Sequence, residues 1–218
     1  MKNAVLFVRG AYRKEHLSFY KRLCRARTKV AVDGGYAFFK KTGLVPDLII
    51  GDLDSAKGLP RKLHSRTTVV TFPVKKDKTD SQLALEYCIE QGARRIDIVM
   101  PSVGEMDHYF GNVFLLTASN VARWVEQGGR VRIVNAAFEL HYLKNRKLTL
   151  RDCTGDTVSV IPLSRRVVLT CSGTEYNVKS AAVSRGQSRP MRNRITAKRA
   201  VFSIDGEALL FHMFSSRR

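Results

Sequence analysis

Short apolar and β-branched runs recur through the first 135 residues, separated by longer amphipathic stretches. Residues 4–8 (AVLFV), 29–32 (KVAV), 47–51 (DLIIG), 68–72 (TVVTF), 94–100 (RRIDIVM) and 130–135 (RVRIVN) read as strands. Most are apolar on both faces, as a parallel sheet buried between helices requires. Between them, residues 80–91 place Leu83, Leu85 and Ile89 at helical spacing, and Gly92 follows as a C-terminal stop. Residues 108–127 read as a second long helix, again ended by glycines. Strand alternating with helix predicts a Rossmann-like layered α/β domain with a mostly parallel sheet and functional loops at the carboxyl ends of its strands.

After residue 135 the helical period disappears. Residues 141–152, 156–163, 165–173 and 197–214 are alternating or β-branched runs punctuated by Gly, Pro, Asn and Asp. That pattern predicts a smaller all-β, sandwich-like domain. Asp205-Gly206, within residues 204–208, reads as a two-residue hairpin turn, because Asp-Gly supplies the positive φ such a loop uses. The expected organisation is an α/β domain over residues 1–136 and an all-β domain over 137–218.

Composition narrows the class. The chain has 218 residues, 44% hydrophobic and 26% charged, so it can bury a core and is not a disordered polymer. No apolar run approaches the ~20 residues of a membrane-spanning helix. The first residues read as a strand and not as a signal peptide, which with four widely spaced cysteines (24, 88, 153 and 171) predicts a cytoplasmic protein with reduced thiols. The 38 Lys and Arg exceed the 19 Asp and Glu to give +19. Basic and acidic residues number 23 and 13 before residue 136 and 15 and 6 after it, so the excess is no basic tail.

In a chain so poor in acid, the placement of aspartate is informative. Asp33, Asp47, Asp52, Asp54, Asp77, Asp80 and Asp107 all fall in or beside loops that follow expected strands. In IIGDLDS (residues 49–55), Asp52 and Asp54 stand two apart after a strand ending in Gly51. An extended i, i+2 pair points to one side. The pair is compatible with a capped turn, and equally with a divalent cation held by hard oxygens together with a phosphate substrate, which describes magnesium. In KKDKTDSQLALEY (residues 75–87), helix capping by Thr79 or Asp80 accounts for one side chain. Asp77 and the interleaved Lys75, Lys76 and Lys78 suit a site holding both metal and phosphate. Gly34-Gly35 after Asp33 frees backbone N–H groups for phosphate or adenine. Asp107-His108 lies at a further strand-to-helix junction, where the histidine is as well read as structural as functional.

Taken in order, Asp33-Gly34-Gly35, Gly43 with Pro46-Asp47, Gly51-Asp52-Leu53-Asp54-Ser55, Lys76-Asp77-Lys78-Thr79-Asp80 with Ala84-Leu85, and Asp107-His108 with Asn112 resemble the thiamin pyrophosphokinase family over residues 31–116. Residues 155–163 (GDTVSVIPL) are similar to the opening of that family's β-domain, and residues 172–178 with Asn193 to its thiamin-facing part. The resemblance implies transfer of a pyrophosphoryl group from ATP to thiamin, magnesium as cofactor, and a homodimer in which the partner's β-domain helps form the thiamin pocket. It implies Asp52, Asp54 and Asp80 as metal ligands, and Asp77 as a further ligand or as the group that orients the alcohol. Asp33, Gly34, Gly35, Lys75, Lys76, Thr79, Asp107 and His108 are implied to line the nucleotide and its phosphates. Asn193 and Arg192 are implied to face thiamin, with Tyr176 or Phe211 filling the role of a tryptophan common in that domain. Glu105 stands where the family usually has Arg, and Arg192 where it has Ser.

Two other readings remain. A pyrophosphokinase with the same core could act on another alcohol, such as a hydroxymethyl pterin. The charge and the run RGQSRPMRNRITAKR (residues 185–199) would also suit a nucleic-acid-binding protein, although no RNP1 motif or basic reading helix accompanies them, which argues against a nucleic-acid partner.

Overall fold

The computed structural model describes residues 1–51, 63–72, 77–101 and 106–215. By internal contacts it divides into two units, one comprising residues 1–124 and 128–136, the other 125–127 and 137–218.

In the first unit the described strands are β1 (Asn3–Phe7), β2 (Thr28–Val32), β3 (Leu48–Gly51), β4 (Thr68–Thr71), β5 (Arg95–Val99) and β6 (Arg130–Val134). They run parallel in the order β4-β3-β2-β1-β5-β6. The order reverses direction between β1 and β5, and in such sheets ligands bind outside the carboxyl ends of the strands at that reversal. The helices are α1 (Leu17–Leu23), α2 (Tyr36–Thr42), α3 (Asp80–Glu90), α4 (Met106–Leu115) and α5 (Ser119–Glu126).

Both faces of the central strands are covered, which is why those strands are mostly apolar. Val5, Phe7, Ala31, Ile49 and Val99 point to one side, where they meet Tyr20, Phe38 and Phe39 of α1 and α2. Phe7 stacks on Phe38 with ring centroids 4.0 Å apart. On the other side Leu6, Val30, Ile50 and Ile98 are buried, and α3, contributing Ala84, Leu85 and Cys88, lies against β1, β2 and β3.

The long helix expected over residues 108–127 is two helices. Where α4 ends, the amides of Leu116, Thr117 and Ala118 bond three residues back to Val113, Phe114 and Leu115. The Thr117 hydroxyl also donates to the Phe114 carbonyl at 2.8 Å. Tightened bonds and a side chain competing for the backbone end the helix inside an otherwise continuous apolar period.

The one aspartate before residue 136 that no loop motif accounts for, Asp97, lies in β5 and is fully buried. Arg132 of β6 grips it with two hydrogen bonds of 2.9 and 2.8 Å, and Arg27 supplies a second ion pair. Burial acts to raise this carboxyl, but the two guanidinium groups outweigh it and hold it below the ordinary range.

The second unit is antiparallel: β7 (Phe138–Arg151), β8 (Thr157–Pro162), β9 (Arg166–Ser172), β10 (Val178–Ser184), β11 (Asn193–Arg194) and β12 (Arg199–Met213). β12 pairs with β7 along its whole length, while its other edge pairs with β9 over residues 201–205 and with β8 over 208–213. The strand β10, whose Ser180-Ala181-Ala182 stretch gave no alternation, pairs with β9.

Asp205-Gly206 is not a hairpin turn. It is a bulge inside β12, with Asp205 and Gly206 together opposite Asn145. Gly206 takes φ +103 and its N–H donates to the Asn145 side-chain oxygen at 2.7 Å. The positive φ that suits a turn serves here as a bulge, which bends the strand and twists it more strongly. In a flat ribbon one extra residue would send Phe202 and Ile204 to one face and Ala208 and Leu210 to the other. All four lie in one buried core with Val160 and Leu169. The β7–β12 ribbon therefore turns over at the bulge and both halves enclose the same core.

Substituting Asp97 by Asn strands two largely buried guanidinium groups, and loss of one partner of a buried pair costs about 3–5 kcal/mol. Urea unfolding should show that loss at neutral pH. Because the folded carboxyl titrates below its unfolded value of about 3.9, its stabilisation is fully present above that pH and disappears as pH falls through the lower folded value. The gap between the two proteins should therefore close only in acid.

Candidate active site

The carboxyl edge of the parallel sheet is built by close backbone approach. At the end of β2, Asp33-Gly34-Gly35 forms a single 3₁₀ turn leading into α2. A Cβ on Gly35 would sit 1.7 Å from the Phe7 carbonyl oxygen at the end of β1, so only glycine allows the turn to lie there. A Cβ on Gly34 would meet Arg9 Nε at 2.7 Å. Asp33 itself takes φ +44, an unusual conformation for a side-chain-bearing residue. Gly51 at the end of β3 faces the Asp33 backbone, where an added Cβ would lie 3.3 Å from its Cα.

Over this turn passes Arg9, whose guanidinium meets the Asp33 carboxylate at 3.2 Å while its side chain stays largely exposed. Arg9 was not singled out from the sequence, although its place immediately after the first strand was the available signal. It puts an exposed fork of donors beside the reversal of strand order, where an anionic group is well received.

Asp77 and Asp80 follow β4 at the same edge, Asp77 exposed and Asp80 half-buried in the first turn of α3. Thr79 is the N-cap, its side chain accepting from the Gln82 N–H at 3.3 Å. Lys78, expected near phosphate, instead bonds Glu86 at 2.7 Å. Burial acts to raise Glu86, but hydrogen bonds from Lys78, Gln82 and Asn120 outweigh it and hold its carboxyl below the ordinary value. This cluster ties the loop before α3 to α3 itself and to α5.

Asp107 and His108 are exposed in the first turn of α4, after β5. The Asp107 carboxylate accepts from the His108 N–H at 2.8 Å, and Asn112 donates to the His108 carbonyl at 3.0 Å. Asp47, by contrast, is occupied at the opposite end of β3, accepting from the Lys29 N–H and Nζ at 2.7 and 2.8 Å. Asp52, Asp54, Lys75, Lys76 and Glu105 lie outside the described residues.

Within the second unit, Asn193 of β11 is committed to the loop between β9 and β10. Its side-chain oxygen accepts from the Tyr176 N–H at 3.0 Å, and its nitrogen donates to the Tyr176 carbonyl at 2.8 Å and the Thr174 hydroxyl at 3.2 Å. It fixes the segment that displays Tyr176, a ring with 68% exposure. Arg192 takes φ +57 and its N–H donates to Ser159 Oγ at 2.9 Å. Ser159 is in register with Phe211 on β12, so both project from the face opposite the core. Phe211 in turn lies 6.0 Å from the Phe138 ring. Arg192 and Phe211 are thus brought to one face, with Ser159, unmarked in the sequence, as the joint between them.

What the edge can do follows from its donors. Carboxylates from three loops supply hard oxygens, a glycine turn that no Cβ can enter presents backbone, and Arg9 supplies positive charge. That set fits a divalent cation together with a phosphate chain. Gly35→Ala should be poorly tolerated, since overpacking a fixed backbone contact costs typically about 1–3 kcal/mol. Calorimetric melting should show the loss, and nucleotide affinity should fall with it.

Comparison with known proteins adds the following. Residues 19–125 match the family model of the thiamin pyrophosphokinase catalytic domain. The thiamine pyrophosphokinase of Bacillus subtilis (strain 168) is 24% identical over 178 residues, 80% of this chain and 81% of that protein. The crystal structure of thiamin pyrophosphokinase from Geobacillus thermodenitrificans is 26% identical, with a TM-score of 0.75 over 98% of this chain and 99% of that one. Thiamin pyrophosphokinase from Candida albicans shares the fold at 14% identity, with a TM-score of 0.71 over 98% of this chain and 90% of that one.

Proposed function

We infer that this chain, a member of the thiamin pyrophosphokinase family, transfers the pyrophosphoryl group of ATP to the hydroxyethyl oxygen of thiamin, giving thiamin diphosphate and AMP. The observation that carries this is the match of residues 19–125 to the family's catalytic domain, over the segment that places Asp33, Asp77, Asp80 and Asp107 on one sheet edge.

In this reading the alcohol oxygen bonds to the β-phosphorus and gives up its proton to solvent, while the bond from that phosphorus to the oxygen bridging it to the α-phosphate breaks, so AMP leaves with the electron pair. Asp80, with Asp52 and Asp54, supplies the hard oxygens that would hold magnesium, whose charge when bound offsets that of the triphosphate. The 3₁₀ turn at Asp33-Gly34-Gly35 orients the nucleotide. Arg9, Lys75 and Lys76 bind phosphate oxygens. Asp77 is a further metal ligand or orients the alcohol, while Asp107 and His108 flank the nucleotide. Transfers of this type depend chiefly on positioning and electrostatics, so no strong general base is required.

The parallel unit then serves as a Rossmann-like catalytic domain over residues 1–136 and the antiparallel unit as an all-β thiamin-binding domain over 137–218. Arg192, Phe211 and Tyr176 face thiamin, and Asn193 acts by holding Tyr176. The enzyme is placed in the cytoplasm as a homodimer, each β-domain serving its partner's catalytic domain. No helix among the described residues is long and apolar enough to cross a membrane.

Incubation with magnesium, ATP and thiamin should yield AMP and thiamin diphosphate in equal amounts; ADP as the nucleotide product would overturn the reading. Asp80→Asn should lower kcat at least tenfold, about 1.4 kcal/mol of transition-state stabilisation, with little change in melting temperature.

The charge of +19 generates a separate expectation. If this field draws ATP in, raising ionic strength toward 1 M, where the Debye length falls to about 3 Å, should raise the KM for ATP more than it lowers kcat. Steady-state kinetics across a salt series would check this.

A further inference from the structure

We propose that Cys153, Asp156 and His212 form a second metal site, for a zinc-class divalent transition ion, inside the antiparallel unit. The three residues come from different segments: Cys153 and Asp156 from the turn between β7 and β8, His212 from the end of β12. Their ligand atoms all lie within 4.8 Å of one another. All three are buried, at 6%, 1% and 2% exposure.

The donor set decides which ion fits. One sulfur, one imidazole nitrogen and one carboxylate oxygen form the mixed set that zinc and cobalt accept, whereas magnesium takes oxygen ligands almost alone. The charges also balance. A thiolate and a carboxylate neutralise a divalent ion, so the occupied site carries no net charge in a low-dielectric core.

A second observation concerns the far side of the imidazole. His212 Nδ1 is buried and has no hydrogen-bond partner. Glu139, directly opposite on β7, holds a carboxylate oxygen 4.0 Å away, an oxygen that also pairs with His141 Nε2 at 3.1 Å. Imidazoles that ligate a metal through one nitrogen commonly donate from the other to a carboxylate. Glu139 stands where that outer partner belongs, and a small closing movement completes the bond.

Without the ion, protons and hydrogen bonds join the same groups. His212 Nε2 shares a 2.7 Å hydrogen bond with Asp156, and the Cys153 thiol donates to the Arg151 carbonyl at 2.8 Å. On binding, the thiol proton is released to solvent, and the imidazole proton moves from Nε2 to Nδ1, facing Glu139. Three protein ligands leave a fourth position for water. The Cys153–Asp156 turn, closed by a 3.0 Å backbone bond, tied to Ile195 by bonds of 2.9 and 2.8 Å and with Thr154 exposed on it, is the segment whose opening would admit the ion. The ion would staple the start of β8 to the end of β12.

The test uses the full chain without a histidine tag, stripped with a chelator and titrated with cobalt(II) alone. The expected result is stoichiometric uptake with an intense sulfur-to-cobalt charge-transfer absorption, lost on addition of zinc and insensitive to excess magnesium. Cys153→Ser, whose hydroxyl can keep the bond to the Arg151 carbonyl, should abolish that absorption, while Cys171→Ser should retain it. Glu139→Gln should weaken binding by about 10–100-fold, as loss of an outer partner does. Zinc should raise the melting temperature of the parent but not of Cys153→Ser. Absence of the sulfur band, its survival in Cys153→Ser, or its loss in Cys171→Ser would each overturn the proposal.

Discussion

The carboxyl edge of the parallel sheet depends on one steric fact: the backbone of Gly35 lies so near the Phe7 carbonyl that no side chain fits between them. The close approach brings the end of β2 against the end of β1, beside the reversal of strand order. It sets Asp33 in its uncommon conformation and turns Arg9 across the glycines. Covered strands fix the floor below. Phe7, whose carbonyl makes the contact, is itself locked by stacking on Phe38. The aromatic core and the glycine turn are therefore two sides of one residue, and a change in packing beneath the sheet is felt at its edge.

Two groups of aspartates in the first unit differ in burial. Asp97 is enclosed and met by two guanidinium groups, and it holds β5 and β6 to the segment before β2. Asp77, Asp80 and Asp107 are left exposed or half-exposed at the other end of the strands, on loops where a cation and a polyphosphate can reach them. In a chain with so much positive charge, acids that remain open to solvent stand out electrostatically against their surroundings. Against that positive field the open acids form local negative points at the carboxyl edge of the sheet.

Much of the first unit was legible because its signals are local. Each strand was short, most were apolar on both faces, and all six appear within a residue or two of the expected limits. The Asp33-Gly34-Gly35 turn and the Thr79 cap were likewise readable from residue type. What escaped depended on partners distant in sequence. Asp205-Gly206 carries the same local instruction in a turn and in a bulge, and only the opposing Asn145 decides between them. Thr117 breaks a helix by a side-chain bond that apolar periodicity does not record. Arg9 reaches Asp33 across 24 positions, and His212 reaches Asp156 across 56, so neither pair had a spacing to be recognised by. Lys78 looked like part of a basic run, yet its choice of Glu86 is made by the geometry of α3.

The architecture of the second unit also sets an order of events. Three of its strands, β7, β8 and β9, pair directly with β12, and β12 is the last of them in the chain. During synthesis β7 leaves the ribosome with its bonds to β12 unmade and the enclosed core still open. Nothing in residues 138–184 can complete that core until residues 199–213 arrive. Pairing so distant in sequence closes slowly, and open strand edges are prone to join other chains in the meantime. For this unit the interval between translation of β7 and β12 is thus its time of greatest exposure to aggregation, and slower decoding across that stretch would lengthen it.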